Sequence, residues 1–128
     1  MTMDVTFIDP VKPVKKEKGQ KYNNESDLST AIMRKFNAIK NVRCQKFKAS
    51  VYGQTTLDIV GSKGGRFFWL EVKQPGRKPT MRQYSTMKQW IGDGAIATWT
   101  DSIEGAMKFL LSDWRQLTQA DMLGGFHG

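Results

Sequence analysis

Residues 57–73, LDIVGSKGGRFFWLEVK, constrain the fold more than any other stretch of the chain. Two runs of strand-forming residues, Leu57-Asp58-Ile59-Val60 and 66–73, flank the turn material Gly61-Ser62-Lys63-Gly64-Gly65, which is the punctuation of a β-hairpin. Side chains alternate faces along a strand, so Asp58 and Val60 share one face of the first strand, and Trp69, Glu71 and Lys73 share one face of the second. Pairing Asp58 with Trp69 or with Glu71 leads to the same outcome. The two acids become direct or diagonal neighbours on one face, with Cβ atoms roughly 4.5 to 8 Å apart. A single Mg2+ held by oxygens at about 2.1 Å fits such a gap. The alternative carried by the same residues is a cross-strand salt bridge from the acids to Lys73 or Arg66, and spacing alone does not choose between the two.

What surrounds these acids gives them weight. Between residues 28 and 92 there are thirteen Lys or Arg and two acids, Asp58 and Glu71, whereas from residue 89 onward two bases face five acids. The net charge of +8 is therefore segregated, and a basic middle suits a nucleic-acid backbone. The plainer reading is a basic surface kept for solubility. A length of 128 residues with 39% apolar content supports one core and is short for two ordinary domains. The single Cys44 excludes an internal disulfide and a cysteine-cluster zinc site, and His127, alone in the tail GGFHG, falls where a flexible end is expected. No apolar run approaches about 18 residues, and MTMDVTFIDP lacks the regions of a signal peptide, so a cytoplasmic protein is expected.

Around the hairpin the punctuation is regular. Residues 1–24, with their prolines and lysines, read as a basic arm, leaving 25–128 as the domain. Asn24 or Ser26 can cap a helix over 25–40, whose apolar stripe is Leu28, Ile32, Phe36 and Ile39. Residues 42–51 suit a strand that turns Arg43, Lys46 and Lys48 toward solvent or ligand. After the hairpin, QPGRKP forms a basic loop, and Thr80-x-x-Gln83 is a capping box for a helix ending at Gly92-Asp93-Gly94. Residues 95–100 form a short apolar strand. Asp101 or Ser102 caps a last helix that buries Ile103, Met107, Leu110, Leu111 and Trp114. The order is αβββαβα, an α/β domain with a mixed central sheet flanked by helices. Trp69, Tyr84 and Trp90 belong to the core at these spacings, with base stacking as the alternative.

Asp58, a glycine turn and Glu71-Val72-Lys73 together form the D…(D/E)-x-K pattern, and with it the chain resembles the PD-(D/E)XK nucleases. The longer string DIVGSKGGRFFWLEVKQPGRKPTMRQ, followed by a helix and a Gly-Ala strand, resembles the VRR-NUC branch, the replication-repair nucleases of phages and bacteria. It is also similar to archaeal-type Holliday junction resolvases. The resemblance spans about residues 25 to 105, with one departure: Leu57 stands where the family often has proline.

The resemblance implies a restriction-endonuclease-like αβββαβ core with a C-terminal helix. It also implies a Mg2+- or Mn2+-dependent DNA endonuclease acting on branched or structured DNA as a homodimer, in replication, recombination or repair. Asp58 and Glu71 would be metal ligands together with the Val72 backbone carbonyl, and Lys73 would position or activate the attacking water. Glu25, in Glu25-Ser26-Asp27-Leu28, matches the acid of the family's first helix; it would support those ligands or hold a second metal ion, with Asp27 as the alternative. A plain helix-dipole role is open to Glu25 as well. Gln83 matches the family's helix glutamine and can cap Thr80 at the same time. Arg77, Lys78 and Arg82 would touch phosphates flanking the cut, with Lys63, Arg66, Lys46 and Lys48 as further nucleic-acid contacts. A dimer interface is expected in the C-terminal half, where Phe109, Trp114, Leu117 and Met122 exceed what one small core absorbs, with the N-terminal arm as the other candidate. Two competing readings share the fold: a non-catalytic nucleic-acid-binding module and an RNA-processing nuclease.

Overall fold

A computed structural model describes residues 24–47 and 58–128, so the expected N-terminal arm, all but Asn24, and the expected strand positions 48–51, Lys48 among them, lie outside the described residues. The first helix, α1 (Glu25–Asn37), starts where its cap puts it: the Asn24 side chain accepts the Asp27 backbone N–H at 2.8 Å. It stops three residues before the expected end, because the chain turns through Ala38 and a left-handed Asn41 (φ 67°) into β1 (Val42–Lys46). Next come β2 (Ile59–Lys63), β3 (Arg66–Val72), α2 (Met81–Gly92), β4 (Ile96–Thr100) and α3 (Ile103–Leu111). The expected αβββαβα order is present, followed by a 3-10 turn at Trp114–Gln116 and a short helix, α4 (Gln119–Gly124).

The strands form one sheet in the order β1-β2-β3-β4, antiparallel except for the parallel pair β3–β4, which α2 connects. The hairpin turn is shorter than the sequence suggests, since Gly61, Ser62 and Lys63 are strand residues and only Gly64 and Gly65 turn. Gly61 is a packing glycine. A Cβ there would meet the Arg43 carbonyl oxygen and the Cys44 Cβ at 2.6 Å and the Phe68 ring at 2.8 Å.

Helices α1 and α3 cover one face of the sheet, burying Leu28, Ile32, Phe36, Phe109 and Leu110 against Cys44, Ile59, Phe68, Leu70 and Val72. Helix α2 covers part of the other face, where Met87 packs on Ala97 and Trp99 with Trp69 and Tyr84 at the margin. Strand β4 is buried at all five positions, including Thr98, whose hydroxyl donates to the Met122 carbonyl at 2.6 Å, and Thr100, whose hydroxyl donates to the Phe126 carbonyl at 2.7 Å. The open edge of β1 is closed by one side chain, as the Asn37 amide donates to the Cys44 carbonyl at 3.0 Å and accepts the Cys44 N–H at 2.8 Å.

Three expectations for the C-terminal half are corrected. Leu111 is exposed at 46%, since α3 ends there, and the buried stripe passes to Trp114 after the helix. Phe109, Trp114 and Met122 are buried within the single chain, with Phe109 and Trp114 rings stacked at 5.0 Å, so they offer no surplus for an interface. The glycine-rich tail is docked, not loose: Phe126 donates its N–H to the Trp99 carbonyl at 2.9 Å, its carbonyl accepts from Thr100 Oγ1 at 2.7 Å, and His127 Nδ1 lies 2.9 Å from Asp101 Oδ1. Gly105 permits this docking, because a Cβ on it would fall on the Phe126 carbonyl.

Candidate active site

The register of the hairpin, Ile59 opposite Leu70, places Asp58 opposite Glu71 just beyond the last paired residues. Asp58 is fixed by the backbone on both sides. Its Oδ2 accepts the Val72 N–H at 3.0 Å, and its carbonyl accepts the Phe47 N–H at 2.8 Å. Glu71 points to the α2 side, is 2% exposed, and accepts from Gln83 Nε2 at 3.1 Å through Oε1. Gln83 is itself held by the capping box, since its amide oxygen accepts the Thr80 N–H at 2.9 Å while Thr80 Oγ1 accepts the Gln83 N–H at 3.1 Å. One side chain thus caps α2 and reaches Glu71 at the same time.

Lys73 is buried, and its ammonium sits 3.9 Å from Glu71 Oε1 and 4.0 Å from Glu25 Oε1. Glu25 arrives from the first turn of α1, which Lys46 pins to the sheet by donating to the Ser26 carbonyl and Oγ, each at 3.0 Å. Glu25 and Glu71, distant in the chain, are thus gathered round one ammonium. Burial, followed by the charge of Asp58, pushes the Glu71 carboxyl up to about 9, against the opposing pull of Lys73. Glu71 Oε2 is buried without a hydrogen-bond partner among the described residues.

That orphaned oxygen tests the fit of a metal ion. Two carboxyls in contact, one of them with a desolvated free oxygen, form a donor set that a hard divalent cation satisfies and a neutral environment does not. Among the described residues no group of three or more His, Cys, Asp or Glu gathers into a metal cage. A cation here would draw its remaining oxygens from backbone, water or a phosphate.

The expected basic contacts separate into two groups. Arg77, Lys78 and Arg82 are exposed on the loop and first helical turn that follow β3 in the chain. Lys63 and Arg66 pair at the opposite end of the hairpin, roughly 17 Å along the strand from Glu71. Lys63 donates to the carbonyls of Leu110 at 2.7 Å and Ser112 at 3.1 Å and lies over the Trp114 ring, with burial lowering its pKa. Its ammonium closes the end of α3. Lys46 is likewise engaged with α1. Its parity in β1 signals this, since Lys46 shares the core-facing side of Val42 and Cys44. Sequence reasoning missed that positioning role.

The fold has a counterpart among solved structures. A VRR-NUC domain superposes with a TM-score of 0.58, covering 67% of this chain and 92% of its own, at 20% identity. The fold is that of a VRR-NUC domain. No family model matches the sequence, and no curated protein matches it. In the VRR-NUC fold of this chain, the hairpin carries Asp58 and Glu71, α1 supplies Glu25 and α2 supplies Gln83. No helix among the described residues is long and apolar enough to cross a membrane.

Proposed function

We propose that the chain is a divalent-metal-dependent endodeoxyribonuclease that hydrolyses phosphodiester bonds. The observation that carries this reading is the pairing of Asp58 with a buried Glu71 whose Oε2 has no protein partner among the described residues, beside the Lys73 ammonium. Asp58, Glu71 and the Val72 carbonyl would hold Mg2+ or Mn2+, which when bound supplies charge neutralisation of the phosphate and an acidified water. Lys73 orients the attacking water and offers a positive charge to the oxygens that gain negative charge. Gln83 fixes the rotamer of Glu71, and Glu25 holds Lys73 toward it. Arg77, Lys78 and Arg82 grip the phosphates on either side of the cut.

Branched DNA is the substrate class this reading favours, cut by a two-fold dimer in phage or bacterial replication, recombination or repair. Two antiparallel strands at a junction need two sites related by symmetry, and this domain has one. The test is a substrate panel of four-way junction, flap, single strand, duplex and RNA, each incubated with Mg2+, Mn2+ or EDTA. Cleavage of junctions or flaps only with metal supports the reading. Binding without cleavage in every metal would identify a non-catalytic module, and RNA-only cleavage an RNA-processing nuclease. Light scattering should give twice the 14.6 kDa chain mass, in solution or on junction DNA.

A further inference from the structure

The α2-side face of the sheet is built in three rungs. The first carries Phe47, Asp58 and Glu71, the second Gln45, Val60 and Trp69, and the third Arg43, Ser62 and Phe67. Among the described residues, α2 covers this face only over β3 and β4. From the β1 end of this face to α2 runs a row of rings: Phe47 meets Trp69 edge-on with centroids at 5.4 Å, and Trp69 meets Trp90 of α2 at 5.5 Å with planes tilted by 34°. The outer members remain open to solvent, with Phe47 exposed at 42% and Trp90 at 43%, and Phe67 on the third rung at 73%. Trp90 is thus more open than its helical spacing suggests, whereas Trp69 packs at the margin of the Met87 cluster as expected.

We propose that this row is a stacking platform for unpaired nucleotides of the DNA substrate, lying directly beside the acid pair. The proposal rests on the nuclease reading above and narrows its substrate to DNA with a single-stranded segment adjoining the cut. Trp69 precedes Glu71 by two residues on the same face, about 7 Å away along the strand, and Phe47 lies across from Asp58, so a strand entering the site passes over the rings. Bases buried in a duplex cannot offer their faces, whereas unpaired ones can, and every base has a face that stacks on an aromatic ring.

Charge selects the occupant. The platform is bordered by the exposed Arg43 on one side and by Arg77, Lys78 and Arg82 beyond Glu71 on the other, and Asp58 and Glu71 are the only acids on these three rungs. A second copy of the chain pairing through this face would bring the same positive rim against itself. A nucleic-acid strand satisfies rings and cations together.

The test is equilibrium binding of the full chain in EDTA, where no cleavage intervenes, by fluorescence anisotropy. The probes are a labelled oligothymidine, an abasic strand of the same length and a blunt duplex. Oligothymidine should bind more tightly than the abasic strand and quench tryptophan emission. Phe47→Ala and Trp90→Ala should each weaken oligothymidine binding by about tenfold while leaving duplex binding unchanged. Trp90→Tyr should retain it, which separates stacking from a general folding defect. Equal binding of abasic and thymidine strands, or equal loss on single strand and duplex, overturns the proposal. So does a dimer that Trp90→Ala dissociates, because the face would then join two copies. Absence of metal-dependent cleavage with base-dependent binding intact would remove the nuclease reading alone; normal cleavage with unaltered binding in both alanine variants would remove the platform alone.

Discussion

Gln83 donates from Nε2 to Glu71 Oε1 at 3.1 Å while its amide oxygen accepts the Thr80 backbone N–H at 2.9 Å, so one side chain both starts α2 and fixes a buried acid. Gln83→Ala should lower stability by about 1 kcal/mol by removing half of the cap, and should lower the cleavage rate further than that destabilisation explains. Gln83→Glu keeps an acceptor for the Thr80 N–H and places a carboxylate against Glu71, so the cap survives and cleavage is abolished. Thermal melts and single-turnover rates on both variants check the separation. An unchanged rate in Gln83→Ala would remove Gln83 from the site.

Burial and the neighbouring Asp58 raise the Glu71 carboxyl to about 9, whereas an unfolded glutamate titrates near 4.3. Between these values the folded chain binds the extra proton. Its contribution to stability in EDTA is therefore full below about 4.3 and is lost as pH rises toward 9. Glu71→Gln should flatten that fall and melt higher than wild type at pH 8 without metal. Adding Mn2+ should raise the melting temperature of wild type more at pH 8 than at pH 6, since the cation competes with that proton. A melting temperature in EDTA that rises across this window would contradict the assignment.

The hairpin and the αβββαβα order are legible in the sequence because strand alternation, turn glycines and the Thr80–Gln83 capping box are local signals, each readable within a few residues. The neighbourhood of Asp58, Glu71 and Lys73 follows from them, whereas the reach of Gln83 to Glu71 is implied only by the family resemblance. Long-range engagements are not legible. Lys63 reads as a free base in the turn, yet its partners at Leu110 and Ser112 lie nearly fifty residues away. The GGFHG tail carries the composition of a loose end, and only the groove made by Gly105, Thr100 and Trp99 gives it a place. Trp90 reads as core because spacing reports which face of the helix a ring takes and not how much of that face is covered.

Gly61 shows the same limit from the other side, a turn-like residue required by packing inside β2. Gly61→Ala should destabilise the fold by about 1–3 kcal/mol, because the added methyl meets the Arg43 carbonyl, Cys44 and the Phe68 ring at once. Urea titration should show a lower midpoint with an unchanged m value. A wild-type midpoint would mean that the strands separate at no cost.

Replacing Arg77, Lys78 and Arg82 together by alanine should weaken duplex binding and flatten its salt dependence, by about 0.9 in the log–log slope for each phosphate that is no longer neutralised. Anisotropy titrations over a range of NaCl concentrations read that slope. An unchanged slope would place the loop away from DNA.

The pairing of Asp58 with Glu71 as a metal site is tested most directly by cleavage of labelled junction DNA in Mg2+ by Asp58→Ala, Glu71→Ala and Lys73→Ala beside wild type. Both acid variants should cut no faster than wild type in EDTA while binding DNA at least as tightly, since each loses a ligand and a negative charge near the phosphate. Lys73→Ala should cut slowly and keep its metal affinity. Wild-type rates in either acid variant would contradict the site.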